Sequence, residues 1–492
     1  MRRDQNLGGR VRDGRQFGSR EARPPELGRE LTLEIGDLTH TGEGVAHFGG
    51  YVVFLRGVLP RERVRAVVTE NKRRYGRAEV VEILRPSPHR IKPKCMHFGP
   101  CGRCSLQHLA YPEQLRAKES LLKERLNRAL PKLRVPVLPM IPAPEIWGAR
   151  HKAHFAFGLE NDLPVLGHFS AHSRELVPIT ECPVHHPAAQ RTAEAVLEAV
   201  KNRRTPIHDE AANAGSLKHL IVRASQDSGE TLALLSTATP RVPGGEALGA
   251  EVIAAAPSTL GVHANYSPDP GPAVQGVSFT TLAGKDRLVE RVSGIEFLLS
   301  PTAFFQTNVP AAEILVGLVL KTVPKDAGRV LDLYCGVGLF SLPLARRGHA
   351  VVGVESNAQA VIDAEASAEL NNIRGIEFRT ARTEDALRDL SSTDRFPVVV
   401  LDPPRDGVPE DALRLLARKV SPDLIVMISC DPESLARDLL ALHRLGYEPE
   451  SVQPVDMFPH TMQIESVAVL RKGIQGDRRG VGPPRRSPKR KR

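Results

Sequence analysis

The chain has no uninterrupted apolar run of the roughly 18 residues that a membrane-spanning helix requires, so no such helix and no membrane partner is expected. Its first thirty residues are rich in Arg and hold no apolar h-region, which argues against a secretory signal. Cysteine is scarce. Six in 492 residues are too few for a disulfide scaffold, and their clustering points to metal binding or catalysis in the reducing cytosol. No internal repeat is found. What is present is ordinary for a folded protein: 41% hydrophobic and 25% charged residues, on a chain long enough for about three domains at roughly 150 residues each. A wholly disordered chain is excluded.

The net charge of +10 becomes informative once located. Ten Lys/Arg against one acid lie in Arg471–Arg492, and eight Arg against four acids in Met1–Arg29, which leaves the body slightly acidic at −3. The segments 1–29 and 473–492, rich in Gly, Pro and Arg, read as disordered basic arms suited to a phosphate backbone or simply to solubility. From 30 to 88 come short β-like runs, Leu31–Ile35, Tyr51–Phe54, Arg63–Val68 and Glu79–Leu84, separated by turn residues; this spacing predicts a small barrel. Lys72, Arg73, Arg74 and Arg77 fall between the last two runs, where a basic loop can meet nucleic acid. Such a barrel resembles the TRAM domain, an OB-like RNA-binding module.

Gln114–Leu130 carries Leu115, Leu121, Leu122, Leu126 and Leu130 at helical spacing with Lys and Arg opposite, an amphipathic helix for which no chemistry is assigned; over 113–130 it is expected to lie against the catalytic domain. From about 135 to 288 the pattern is mixed α/β and the least informative of the chain. A central domain is placed at 89–290. From Arg329 onward apolar runs alternate with helical stretches: Arg329–Tyr334, His349–Glu355, Val398–Asp402 and Leu424–Ser429 read as strands of a parallel, doubly wound sheet, placed at 291–472. Ligands bind such sheets at the carboxyl ends of their strands.

Cys335-Gly336-Val337-Gly338 follows a strand and opens a helix, and Glu355 ends the next strand, where a carboxylate can accept hydrogen bonds from ribose hydroxyls. A third glycine is missing, which argues against a dinucleotide fingerprint. Asp332 to Gly338 resembles motif I of class I S-adenosylmethionine (SAM) methyltransferases. Asp402-Pro403-Pro404-Arg405 and Ser429-Cys430-Asp431-Pro432 end the next two strands. The first also resembles the box of amino-group methyltransferases, but a cysteine facing the crevice is a candidate nucleophile. Carbon methylation of uracil needs such a thiolate to add at C6, and a carboxylate to take the C5 proton; Glu465, at the end of Asp456–Glu465, supplies one.

Phe304–Asn308, Asp332–Gly338, Asp402–Arg405, Ser429–Pro432 and Asp456–Glu465 appear in this order, and together they resemble the RNA uracil-5 methyltransferase family of the RumA/TrmA type. The resemblance, over about 30–472, implies a Rossmann-like α/β catalytic domain with a TRAM-like barrel and a central α+β domain. It implies that Gln306, Tyr334, Gly336, Gly338, Glu355 and Asp402 bind SAM, that Cys430 is the nucleophile and Glu465 the proton acceptor, and that Cys335 is structural. Three positions depart from the family pattern: Gln463 replaces a usual His, Leu339 a polar residue, and Arg382 an Asn or Asp near the adenine.

Cys95, Cys101 and Cys104, with Cys182 as a fourth, could hold zinc or an iron–sulfur cluster by spacing alone. Cys101-Gly102-Arg103-Cys104 followed by Ser105 to His108 resembles the [4Fe–4S] segment of the family, which favours iron–sulfur in a structural role. His97, His108, His185 and His186 are read as solvent or RNA contacts, not ligands. The expected partner is a structured RNA. Barrel plus four cysteines resembles the 23S rRNA enzymes of the family, with the T-loop of transfer RNA as the alternative and a non-catalytic RNA-binding or assembly protein as the rival class. A cytoplasmic monomer is expected.

Overall fold

The computed structural model describes residues 23–473 apart from 172, 174, 269–275, 277 and 392. The expected basic arms therefore lie almost wholly outside the described residues. Two compact units are present, one comprising residues up to Thr39 with Glu43–Pro88, the other His40–Gly42 and everything from His89 on.

The first unit is a closed five-stranded barrel of Glu30–Leu38, Gly44–Phe48, Tyr51–Leu55, Arg63–Asn71 and Tyr75–Arg85. Strict alternation builds it: Leu31, Leu33 and Ile35 point inward from the first strand, and Val64, Ala66 and Val68 from its neighbour, onto Tyr51, Val53 and Leu55. The strand Gly44–Phe48 escaped the sequence reading because glycines flank it and only five residues carry it. The basic loop is also shorter than expected. Arg77 is not in it but inside the last strand, where it pairs with Glu43 and with Glu70 at 3.4 Å, leaving Lys72, Arg73 and Arg74 at the turn.

In the second unit, the uninformative middle of the sequence is a seven-stranded, largely antiparallel sheet. Its order is Ser278–Gly284, Thr259–Tyr266, Thr231–Thr237, Leu217–Ala224, Lys152–Glu160, Leu163–Phe169 and Leu176–Pro178. Its two central strands, Leu217–Ala224 and Thr231–Thr237, are buried at every residue, so no period-2 alternation marks them. Helices Pro187–Asn202 and Gly245–Ala255 supply apolar residues to its core.

The second sheet has the order Ile376–Thr380, Ala350–Glu355, Arg329–Leu333, Val398–Leu401, Leu424–Ser429, Glu465–Lys472, Tyr447–Val455. Its first five strands are parallel and doubly wound; only Glu465–Lys472 runs against the rest. That reversal matters for position. Glu465 is the first residue of its strand, and Ser466 lies opposite Ser429, so Glu465 sits at the edge where the parallel strands finish. The amphipathic helix spans Tyr111–Ala129, starting earlier than its leucine pattern because Pro112 is accommodated in the first turn, and it packs on helix Pro432–Arg444.

Candidate active site

The central strand Arg329–Leu333 ends in a tight turn into the helix Ser341–Arg346. Asp332 is fully buried and accepts a 2.5 Å hydrogen bond from Ser341 Oγ; burial pushes its carboxyl up to about 7. Tyr334 has φ +62°, a left-handed conformation that costs a non-glycine residue about 1–3 kcal/mol and marks a site where the surroundings over-determine the backbone. Gly338, at φ +85°, packs so closely that a Cβ there would lie 3.2 Å from both Leu342 and Phe378. At Gly336 a Cβ would meet nothing within 4 Å, so this backbone borders open space. Its N–H donates to Glu355 Oε2 at 3.1 Å, and Glu355 Oε1 accepts from Asn357 N–H at 2.8 Å. Glu355 is thereby fixed at the end of its strand, with lone pairs left for a hydroxyl-bearing ligand.

Cys430 lies between strand Leu424–Ser429 and helix Pro432–Arg444. Local sequence dictates the turn. Asp431 caps the helix by accepting from Glu433 and Ser434 N–H at 3.1 and 2.8 Å, and Pro432 fills the first turn, where no N–H is required. A cleft of roughly 730 Å³ opens at the carboxyl ends of the strands. Gln306, Tyr334, Gly336, Glu355, Asp402, Cys430 and Glu465 all line it, together with Phe304, Leu339, Arg405 and Phe458. Gly338 is the one expected cofactor residue that does not line it; its part is the packing of the turn.

Three acidic or thiol groups share this cleft under strong desolvation. Burial raises Asp402 and Glu465, and the charge of Asp402 raises Glu465 further, while Gln306 hydrogen-bonding to Asp402 and Arg405 beside Glu465 favour their ionised forms. Two adjacent buried carboxylates of this kind resist simultaneous ionisation. Cys430 is pushed up to about 12 by burial and by Glu465, while Arg405 pulls it down. Cys335 is buried under the same turn, its thiol raised by burial, with its sulfur against Gly353.

Of the departures, Leu339 faces the cleft as an apolar wall. Arg382 is exposed at the start of helix Thr383–Asp389, beside Glu384. Gln463 N–H bonds Thr461 Oγ1 at 3.2 Å and is half-buried.

The sequence reading missed the residues that hold the two cleft loops. Asn308 caps helix Val309–Thr322 through Ala311 N–H at 3.2 Å and donates to Met457 O at 3.2 Å, tying the Gln306 loop to the segment before Glu465. From the central sheet, Arg223 donates to Ala303 O at 2.5 Å, and His151 N–H donates to Thr307 O at 2.8 Å. Asn at an N-cap is a legible signal; a buried Arg or His bonding a carbonyl 80 or 156 residues away has none in one dimension.

Cys95, Cys101, Cys104 and Cys182 are all free, and Cys104 lies within electrostatic reach of the other three. Burial raises the thiols of Cys95, Cys101 and Cys182, the last to about 11. Among the described residues, no group of three His, Cys, Asp or Glu side chains is arranged to hold a metal ion. The histidine reading needs correction. His108 and His185 are buried rather than solvent contacts, His185 against the rings of Phe155 and His168. His186 caps helix Pro187–Asn202 by accepting from Ala188 N–H at 3.3 Å; His97 reaches Thr180 at 3.3 Å. His168, which the sequence did not single out, stands 3.5 Å from Cys101 Sγ.

A doubly wound sheet with a glycine turn, a carboxylate ending the next strand and a cleft at the strand ends is an arrangement that SAM-dependent methyltransferases use, here on a chain that also carries a closed five-stranded barrel. Residues 287–473 match the tRNA (uracil-5-)-methyltransferase family, and 24–81 match the TRAM domain. An uncharacterized RNA methyltransferase of Halalkalibacterium halodurans is 33% identical over 92% of this chain and 99% of its own; one of Thermosynechococcus vestitus is 35% identical over 90% and 98%. The crystal structure of the Pyrococcus abyssi tRNA (uracil-54, C5)-methyltransferase in complex with S-adenosyl-L-homocysteine is similar at a TM-score of 0.70 and 27% identity, over 89% of this chain and 100% of that one. The chain therefore belongs to the RNA (uracil-5-)-methyltransferase family: it is a SAM-dependent enzyme acting on RNA. Among the described residues no helix is long and apolar enough to cross a membrane.

Proposed function

We propose that this enzyme makes 5-methyluridine in a structured RNA through a covalent bond between Cys430 and uracil C6. The observation that carries the reading is the convergence of Cys430, Glu465, Asp402 and Gln306 on one cleft with Glu355 and the Gly336 turn. The cofactor half fits SAM: Glu355 offers acceptors to ribose hydroxyls, Gly336 leaves room for close approach, and the cleft carboxylates suit a cationic ligand. SAM supplies the methyl group as an electrophile.

The chain's own groups do the rest. The target base leaves its stack to enter the cleft. The Cys430 thiol gives its proton to water, and its sulfur forms a bond to C6, moving the C5–C6 electron pair towards the C4 carbonyl oxygen as an enolate whose C5 is nucleophilic. C5 then gains the methyl group. Glu465 takes the C5 proton, the electrons re-form the C5–C6 double bond, and the C6–sulfur bond breaks to release the thiolate. To accept that proton Glu465 must be ionised, which Arg405 favours, and burial makes the ionised carboxylate a stronger proton acceptor than a solvated one. Asp402, hydrogen-bonded by Gln306, would orient the base as well as border the cofactor.

RNA carrying 5-fluorouridine, which has no C5 proton to remove, should trap the covalent complex on a denaturing gel in the presence of SAM. Cys430→Ala should abolish that band; full 5-methyluridine formation by that variant would overturn the assignment. A non-catalytic assembly protein or an amino-group methyltransferase gives no band at all.

For the RNA target, the barrel with four cysteines supports 23S rRNA. The similarity to the Pyrococcus enzyme, named for tRNA position 54, supports the T-loop equally. Mapping 5-methyluridine in total RNA from a deletion strain separates them. The thiolates of Cys95, Cys101, Cys104 and Cys182 would hold a [4Fe–4S] cluster that orders their segment, a reading supported by Cys104 lying within electrostatic reach of the other three thiols. Four irons per chain with a broad visible absorption are expected after anaerobic purification; stoichiometric zinc would replace the iron reading.

A further inference from the structure

Lys118 is completely buried on the inner face of helix Tyr111–Ala129, one turn before Leu121 and Leu122, although the sequence reading set the Lys and Arg residues opposite the leucines. Its Nζ lies 2.5 Å from Asp456 Oδ1 and donates to the Phe458 carbonyl at 2.9 Å; the Tyr111 hydroxyl donates to Asp456 Oδ2 at 2.9 Å. One helical turn earlier, Gln114 accepts from His460 N–H at 2.9 Å and donates to the carbonyls of Leu106 and Leu109 at 3.1 and 2.8 Å. His460 itself is held at φ +67°, its carbonyl accepting from Ser105 and Leu106 N–H at 3.0 and 2.9 Å and its ring stacked 3.9 Å from Trp147.

The contacts to Asp456, Phe458 and His460 all fall on residues 456–464, the connection that leaves strand Tyr447–Val455, passes Phe458 along the cleft wall and delivers Glu465. A buried ion pair is a poor device for stability, since desolvation of both charges offsets their attraction and a well-packed apolar pair would often serve as well. What it does supply is direction: Lys118 fixes both a carboxylate and a carbonyl two residues apart on the same connection.

We propose that Lys118 is a positioning residue, setting through Asp456 and the Phe458 carbonyl the course of 456–464 and hence the placement of Glu465 for proton removal. This rests on the reading of Glu465 as proton acceptor. Misplacing an acceptor by about 1 Å can slow its step about 100-fold. The addition of Cys430 and the methyl transfer do not use Glu465, so a misplaced acceptor leaves the methylated covalent complex intact but slow to resolve.

The test uses the full-length enzyme with ordinary uridine RNA and SAM. The variants are Lys118→Met, Lys118→Met combined with Asp456→Asn so that no orphan charge is buried, and Glu465→Gln as reference. Both Lys118 variants should raise the covalent RNA complex on a denaturing gel about tenfold over the unmodified enzyme. kcat should fall about 10–100-fold with KM for RNA within about threefold. Trp147, the sole tryptophan, should report the loosened His460 segment as a shift in emission. If Glu465→Gln itself accumulates no covalent complex, the proton-acceptor reading fails. If Glu465→Gln accumulates it while the double variant turns over normally, or loses trapping and turnover in step, Lys118 serves the fold alone and the positioning proposal is overturned.

Discussion

Ser341 Oγ donates to Asp332 Oδ2 across 2.5 Å, joining the end of the central strand to the start of the helix that follows the glycine turn. The bond closes a loop of nine residues in which Tyr334 and the two glycines are all held at positive φ. Asp332 makes no contact with the cleft; it shapes the turn that does.

Asp332 gives a stability prediction with a definite sign. Its carboxyl is raised from 3.8 to about 7 by burial, so the folded state holds a proton that the unfolded chain releases. Stability contributed at this position is thus greatest in acid and is lost as pH rises from about 4 to 7, then stays level. Asp332→Asn has no such titration. Its melting temperature relative to the parent should climb between pH 5 and 7, by roughly 1 kcal/mol of stability per pH unit, and level off above. A difference that is flat from pH 5 to 8 contradicts the buried titration.

The thiol of Cys430 should be unreactive in the free enzyme. With its pKa pushed up to about 12, the ionised fraction at pH 7 is about 10⁻⁵, and alkylation by iodoacetamide should rise about tenfold per pH unit through pH 9. Arg405 pulls that pKa down, so Arg405→Met should slow alkylation at pH 9 several-fold. Mass spectrometry of the Cys430 peptide reads both effects; rapid labelling at pH 7 contradicts the first.

Asn308 joins the Gln306 loop to Met457 and caps a helix at once. Asn308→Ala removes both bonds and should cost about 1–2 kcal/mol in chemical denaturation. Because Gln306 follows the same loop, KM for SAM should rise several-fold. Asn308→Ser, which can still cap but does not reach Met457, should recover much of the stability and little of the affinity.

Phosphate contact by a basic tail would act through charge, so deleting 473–492 should weaken RNA binding most at low salt and reduce the slope of log affinity against log salt. An unchanged slope would assign the tail no phosphate contact.

Much of this enzyme is written locally. Alternation over Glu30–Val68 builds the barrel, and Asp431-Pro432 after an apolar strand forces a turn that leaves Cys430 at the strand end. Glycine at 336 and 338 permits the bend between strand and helix. Each depends on neighbours within a few residues, so each is legible in the sequence. Membership of the RNA uracil-5 methyltransferase family was legible too, because Phe304–Asn308, Asp332–Gly338, Asp402–Arg405, Ser429–Pro432 and Asp456–Glu465 appear in the family's order.

Tertiary structure alone decided what those residues became. Reversal of one strand brings Glu465 to the edge shared with Cys430. Burial, not residue type, lifts Asp402, Glu465 and Cys430 away from their ordinary protonation behaviour. The fully interior strands of the central sheet show no alternation because both faces are covered, and Lys118 reads as a surface charge until its partner arrives from 338 residues away. Local propensity acts over a turn or a strand; desolvation and ion pairing depend on what the rest of the chain places alongside, and only the assembled fold determines that.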